Sequence, residues 1–228
     1  MSNLREIKDM ALNFLELEIK ETEISPIAIM HPFFESGFVI IDGVICNILE
    51  DNLALEKRKS FLREQINSSI EAKQIFILIR KSYRLTFYKY VYKFLSKEEK
   101  AVLLIEAYCN SEFPNVDVNV TTSNLLRYFK MADKSFLMSK EEKEIYDSLP
   151  NEVIVYRGVS KQHLNPNALS WTLSKEQAEW FSTRFHSSGY VFKAKIKKEN
   201  IFCFKSLEEE TILNYKNIYD LEKYQTQK

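Results

Sequence analysis

Residues 206–213 read SLEEETIL, three consecutive carboxylates running straight into an apolar segment. Like charges side by side repel, and carboxylates rarely go inside unpaired. A lone acidic run is ordinarily a solvated turn. A carboxylate carried to the lip of a buried strand can also stabilise developing positive charge or take a proton. Two upstream segments hold partners of suitable type. The β-branched run EVIVYRGV (152–159) carries Arg157, whose guanidinium is a planar donor fork suited to phosphate. ALSWTLS (168–174) carries Ser170 and Thr172. Each piece alone has a plain reading: an edge-strand ion pair, polar teeth at a strand end, an acidic turn.

The elements that must position these residues change character along the chain. Residues 1–150 read mainly as helices. In LREIKDMALNFLELEIKE the apolar positions Leu4, Ile7, Met10, Ala11, Phe14, Leu15 and Leu17 recur mostly at spacings of three and four, which predicts an amphipathic helix. SPIAIMHPFFESGFVIIDG is broken by Pro26, Pro32, Gly37 and Gly43 and reads as loop plus a short apolar element. A charged helix follows over about 51–73. QIFILIRKSYRLTFYKYVYKFL has strand propensity, but Phe87, Tyr90, Val91 and Phe94 fall at helical spacing, so a helix is expected; its basic and aromatic residues could form a nucleic-acid surface, but one buried and one solvated face explain them better. Ser96 with Glu99, Ser139 with Glu142, and Ser174 with Gln177 are capping-box pairs that open three further helices.

After Pro150 the pattern turns to strands: EVIVYRGV, ALSWTLS, the alternating GYVFKAKIKK, NIFCF and ETILNYKNI, with the helix KEQAEWFSTRF between the second and third. Runs of helix followed by runs of strand predict an α+β protein. The expectation is a helical region over 1–150 and a strand-rich core with a mixed sheet over 151–228, packed as one unit.

Composition narrows the class. Of 228 residues, 45% are hydrophobic and 28% charged, as in ordinary globular proteins. The 32 basic and 32 acidic residues balance to zero, which argues against a nucleic-acid binder, although a local patch can hide in a balanced total. Cys46, Cys109 and Cys203 are too far apart to propose zinc or a disulfide framework. Only four glycines occur, so no GxGxxG or phosphate-binding P-loop exists. No segment approaches the ~18 apolar residues of a membrane span, and no signal peptide is visible. A cytoplasmic protein that binds no membrane and no metal is expected. His31, His163 and His186 read as surface or loop residues without a catalytic role.

Taken in order, VYRGV (155–159), SWT (170–172) and EEE (208–210) resemble the Arg / Ser-x-Thr / Glu-x-Glu signature of the mono-ADP-ribosyltransferase superfamily. The helix AEWFSTRF after the serine motif is similar to that of phage- and bacterial-type members. The likeness covers about 149–213. It implies NAD as substrate and an acceptor protein as partner, in the host cytoplasm for a phage-encoded effector. It further implies that Glu210 accepts a hydrogen bond from the ribose 2′-OH and stabilises the cation that forms as nicotinamide leaves. Glu208, the first glutamate of the motif, would orient the nucleophile; this implies arginine as acceptor. In an extended segment residues i and i+2 share a side, so Glu208 and Glu210 are expected on one face and Glu209 on the other. Arg157 is the expected anchor for phosphate and ribose. Gly158 would let the backbone approach the nicotinamide amide, and Ser170 would brace the catalytic glutamate. Thr172 would support the strand, Phe181 would stack on the nicotinamide, and Trp180 would pack in the core.

The chain departs from that pattern between Phe204 and Glu208, where only Lys205, Ser206 and Leu207 stand in place of a substrate-recognition loop with an aromatic. Thr211 replaces a small hydrophobic residue. Besides a transferase, the residues admit an NAD glycohydrolase, with water as acceptor, or a non-catalytic interaction module on the same fold.

Overall fold

The computed structural model describes residues 2–23, 25, 27–111, 114, 119–160, 166–184 and 189–226. His163 and His186 lie outside them. The chain is α+β and divides into two compact units, Met1–Val120 and Thr121–Lys228.

The first unit contains α1 (Leu4–Leu15), the two-residue strands β1 (Lys20–Glu21) and β2 (Ile29–Met30), and a hairpin of β3 (Phe38–Ile41) and β4 (Val44–Asn47). Then come α2 (Asn52–Ser68), α3 (Ala72–Leu78), α4 (Lys81–Val91) and α5 (Lys97–Cys109). Asp42 and Gly43 both adopt positive φ, as a two-residue hairpin turn requires. Ile7, Ala11, Phe14 and Leu15 of α1 are buried, and Phe14 meets Phe87 of α4 edge to face at 5.2 Å. The basic-aromatic stretch is helical as expected, but it breaks at Ile79–Arg80, where both residues are extended.

His31 is buried, at 1% exposure, rather than on the surface. Its Nδ1 accepts the Phe33 N–H at 3.1 Å and its ring stacks on Phe34 at 4.4 Å. The apolar pair Phe33–Phe34 folds inward and takes the imidazole with it. Burial lowers its pKa to about 4.

The second unit holds α6 (Thr122–Met131), α7 (Lys140–Ser148), β5 (Glu152–Ser160), β6 (Ser170–Thr172), α8 (Lys175–Thr183), β7 (Gly189–Lys197), β8 (Ile201–Lys205), β9 (Glu210–Leu213) and β10 (Tyr219–Thr226). The helices α6 and α7, expected with the first region, belong here. Phe129 of α6 stacks on Phe202 of β8, and α7 packs on the same strand. Six strands form one sheet in the order β10-β7-β5-β6-β9-β8. Every ladder is antiparallel, so the sheet is not mixed. The helix α8 carries the chain from β6 over β5 to β7, so the two strands it joins are never neighbours.

The sheet consists of two three-stranded halves. The strands β10, β7 and β5 share long ladders and β6, β9 and β8 shorter ones, but β5 and β6 meet through one residue pair, Tyr156 with Thr172. One face packs the core of Val153, Val155, Val159, Trp171, Phe192, Ala194 and Ile196. The other face carries α8. A Cβ on Gly158 would collide with the Ala178 carbonyl, and one on Gly189 with the Ser182 carbonyl, so both glycines are spaces that the helix fills. Ser182 is held by Thr226 at 2.7 Å, and Thr226 also donates to the Gly189 carbonyl at 3.1 Å. Trp180, expected in the core, is 54% exposed because it lies on the outer side of α8.

The depressed pKa of His31 sets a pH dependence. Below the ordinary histidine value near 6.5 the unfolded chain takes a proton that the folded chain refuses until about pH 4. Stability is therefore expected to fall by roughly 3 kcal/mol as pH drops through that window. Urea midpoints at pH 7 and pH 5 should show the drop, and His31→Gln should reduce it; an unchanged slope in the variant would refute the assignment.

Candidate active site

The pairing register builds one row across the whole sheet: Glu222, Lys193, Tyr156, Thr172, Glu210 and Lys205, each opposite the next. Side chains directly opposite in an antiparallel ladder share a face. Glu210 thus opens β9 beside Thr172, on the face that carries α8. Strand alternation sends Arg157 to the other face. The ladder stops at Tyr156–Thr172, however, and the Arg157 guanidinium turns back into the gap, where its Nη1 donates to the Ser170 carbonyl at 2.6 Å.

Ser170 and Arg157 converge on Glu210. The Ser170 hydroxyl donates to its carboxylate, and the positive charge of Arg157 acts on it. Burial dominates nonetheless and raises the Glu210 pKa above the ordinary carboxylate range; the nearby charge of Glu208 pushes the same way, while Ser170, Arg157 and Lys205 oppose. The residue is half-buried, with a desolvated carboxyl held by one hydroxyl at the end of a strand.

The acidic turn is not the extended segment expected from the sequence. Glu208 and Glu209 have φ of 60° and 46°, left-handed values that cost non-glycine residues about 1–2 kcal/mol each. Strand alternation therefore does not place Glu208 beside Glu210; Glu208 is exposed, and extended backbone begins only at Glu210. Two clamps hold the strained turn. On one side the Thr172 hydroxyl donates to the Glu208 carbonyl at 2.8 Å and the Leu173 N–H to the Glu209 carbonyl at 3.0 Å. On the other, Glu142 accepts from Lys205 Nζ at 2.7 Å and from the Ser206 N–H at 3.2 Å.

Glu142 is a residue that the sequence reading used only in part. Its box with Ser139 is formed, with the Ser139 N–H donating to its carboxylate at 2.8 Å. The same carboxylate then reaches the acidic turn. Lys205 and these bonds together hold its pKa down against burial. The Ser174–Gln177 box is half made: Ser174 accepts the Gln177 N–H, while the Ser174 N–H goes to Thr172.

Other expected roles fare differently. The face of Gly158 that lacks a Cβ is filled by α8, so its openness serves helix packing rather than a ligand. Phe181 is half-buried on α8; its ring contacts among the described residues are Trp180, edge to face at 5.0 Å, and the Arg184 guanidinium at 5.0 Å. Neither a 500 Å³ hollow beside Trp180 and Tyr224 nor a 1110 Å³ groove in the first unit includes Arg157, Ser170 or Glu210 in its walls. Among the described residues no group of three or more His, Cys, Asp or Glu side chains could hold a metal ion. No described helix is long and apolar enough to cross a membrane. No family model, curated protein or solved structure matches the chain.

The double duty of Glu142 is measurable. Ser139→Ala removes only a helix cap and should cost about 1 kcal/mol. Glu142→Ala removes the cap, leaves Lys205 without its partner and frees the turn, and should cost about 3 kcal/mol or more. Hydrogen exchange at 206–210 should accelerate in Glu142→Ala alone. Equal losses in the two variants would show that the turn does not depend on Glu142.

Proposed function

We propose that the chain is an NAD-dependent mono-ADP-ribosyltransferase that passes ADP-ribose from NAD to an acceptor, an arginine on a protein, and releases nicotinamide. The observation that carries this reading is the desolvated Glu210 carboxyl, hydrogen-bonded by Ser170 and within the field of Arg157. A carboxyl beside a hydroxyl, with a guanidinium at hand, fits a substrate that presents both sugar hydroxyls and phosphates. NAD supplies a glycosidic bond whose cleavage builds positive charge on its ribose.

Each residue then has a task. Ionised Glu210 accepts a hydrogen bond from the ribose and offers negative charge where positive charge grows; in a dry setting that attraction is strong. Ser170 fixes the carboxylate so that no reorientation is needed as the charge develops. Arg157 ties the Ser170 carbonyl across the gap between the half-sheets, and its positive charge would hold the phosphates. Glu208, on its strained turn, stands at the solvent side, where it can orient an incoming acceptor and take its proton. Thr172 holds the carbonyl of Glu208 and so sets the turn that carries it. The cytoplasm supplies NAD and protein acceptors alike.

Incubation with labelled NAD tests the reading. Label on a protein supports transfer, free ADP-ribose alone would point to hydrolysis, and no turnover would leave a non-catalytic module. Glu210→Gln should lower the rate by about 10²-fold or more, roughly 3 kcal/mol of transition-state stabilisation. The fold should not suffer. A carboxyl with a raised folded-state pKa destabilises the protein once pH exceeds its ordinary value, and fully above its raised one. At pH 7 the variant should therefore melt no lower than the parent, whereas a carboxylate retained for structure would make it melt lower. In Glu208→Gln a like charge is lost, so the acid limb of the pH–rate profile should move to lower pH; a limb that stays in place would detach Glu208 from Glu210.

A further inference from the structure

The first unit carries a concentration of positive charge that the reading above does not use. From Lys73 to Lys97 the sequence has seven basic residues and no acidic one. The corner between α3 and α4, in the middle of this stretch, borders a groove of about 1110 Å³ whose walls include Phe38, Arg58, Arg80, Lys81, Ser82 and Arg84. The one carboxylate among its described wall residues is Glu35, which is 80% exposed and 3.8 Å from Arg80.

The two guanidiniums at the corner are fixed by backbone. Arg80 Nη1 donates to the carbonyls of Ile29 and Phe34, each at 2.9 Å. Arg84 Nε donates to the Ile79 carbonyl at 2.9 Å and Nη2 to that of Ile77 at 3.3 Å. Carbonyls orient these cations without cancelling their charge. Burial accordingly lowers the Arg84 pKa from its usual value. The charge of Glu106 opposes that shift without overcoming it, and exposed Glu35 stands near Arg80, so the half-buried cations are only partly balanced by the described residues. Arg58 and Lys81 add two more cations with no ion pair among the described residues.

We propose that this groove binds single-stranded nucleic acid. Its volume exceeds the roughly 300–1,000 Å³ of small-ligand sites, which favours a chain over a single nucleotide. Preset arginine forks suit successive phosphates, and Phe38, 46% exposed at the rim, offers a face for a base. The balanced total charge of the chain conceals this patch, because acidic residues elsewhere offset it.

The test is fluorescence anisotropy of the full-length chain with a short labelled single-stranded oligonucleotide over a salt series. Affinity should fall steeply with salt. The double variant Arg58→Glu, Lys81→Glu, at positions without structural hydrogen bonds among the described residues, should bind at least about 10-fold more weakly and show a salt slope shallower by about 2. Arg58→Gln with Lys81→Gln takes its place if circular dichroism shows a loss of fold. Lys143→Glu, in the other unit, should change nothing. Absence of binding at low salt, equal binding by parent and double variant, or equal competition by polyglutamate and unlabelled oligonucleotide would each overturn the proposal. NAD turnover plays no part in the readout, so it stands or falls apart from the transferase reading.

Discussion

The arrangement of the second unit depends on how little joins its half-sheets. A full ladder between β5 and β6 would bury the Ser170 carbonyl in strand pairing and leave Arg157 no gap to enter. Because the pairing is limited to Tyr156 and Thr172, the guanidinium completes the connection instead of an N–H. The consequence is chemical as much as structural. A permanent cation is set at the seam, next to a carboxyl that burial has made reluctant to ionise. Sheet continuity and site electrostatics thus rest on the same side chain.

The acidic turn shows a related economy. Two consecutive left-handed glutamates are an expensive choice where glycine or asparagine would relax the backbone. Clamps from Thr172, Leu173 and Glu142 hold them in place. Strain held by several independent bonds, beside a desolvated acid, is the pattern expected where side-chain identity matters more than local comfort.

Much of the fold was legible in the sequence, for physical reasons that differ by element. The helix α1 announces itself through the spacing of Ile7, Ala11, Phe14 and Leu15, which the fold buries on one face. Glu99 and Glu142 declare two helix starts, since a capping box is local chemistry. That Ser170 and Arg157 lie near Glu210 was expected from the family resemblance and not from any local signal. What was hidden is non-local. The second destination of the Glu142 carboxylate lies more than sixty residues away. The strand β10 was missed because Tyr219–Thr226 is an edge strand with an exposed, polar sequence. The positive φ of Glu208 and Glu209 left no mark, because nothing in three glutamates signals a left-handed turn. Gly158 was misjudged because a missing Cβ can serve a ligand or a helix, and only packing tells which.

The strand order carries a consequence for synthesis. The buried hydroxyl of Ser182, which donates to the Glu179 carbonyl within α8, gains its partner on β10 only when Thr226 arrives, at the opposite edge of the sheet from the hairpin β8–β9. On the ribosome the first unit can collapse about its own helices as it emerges. The second must wait, with β7 lacking one neighbour, until Thr226 has cleared the exit tunnel. The unit that holds Glu210 therefore completes its sheet only once β10 has joined β7.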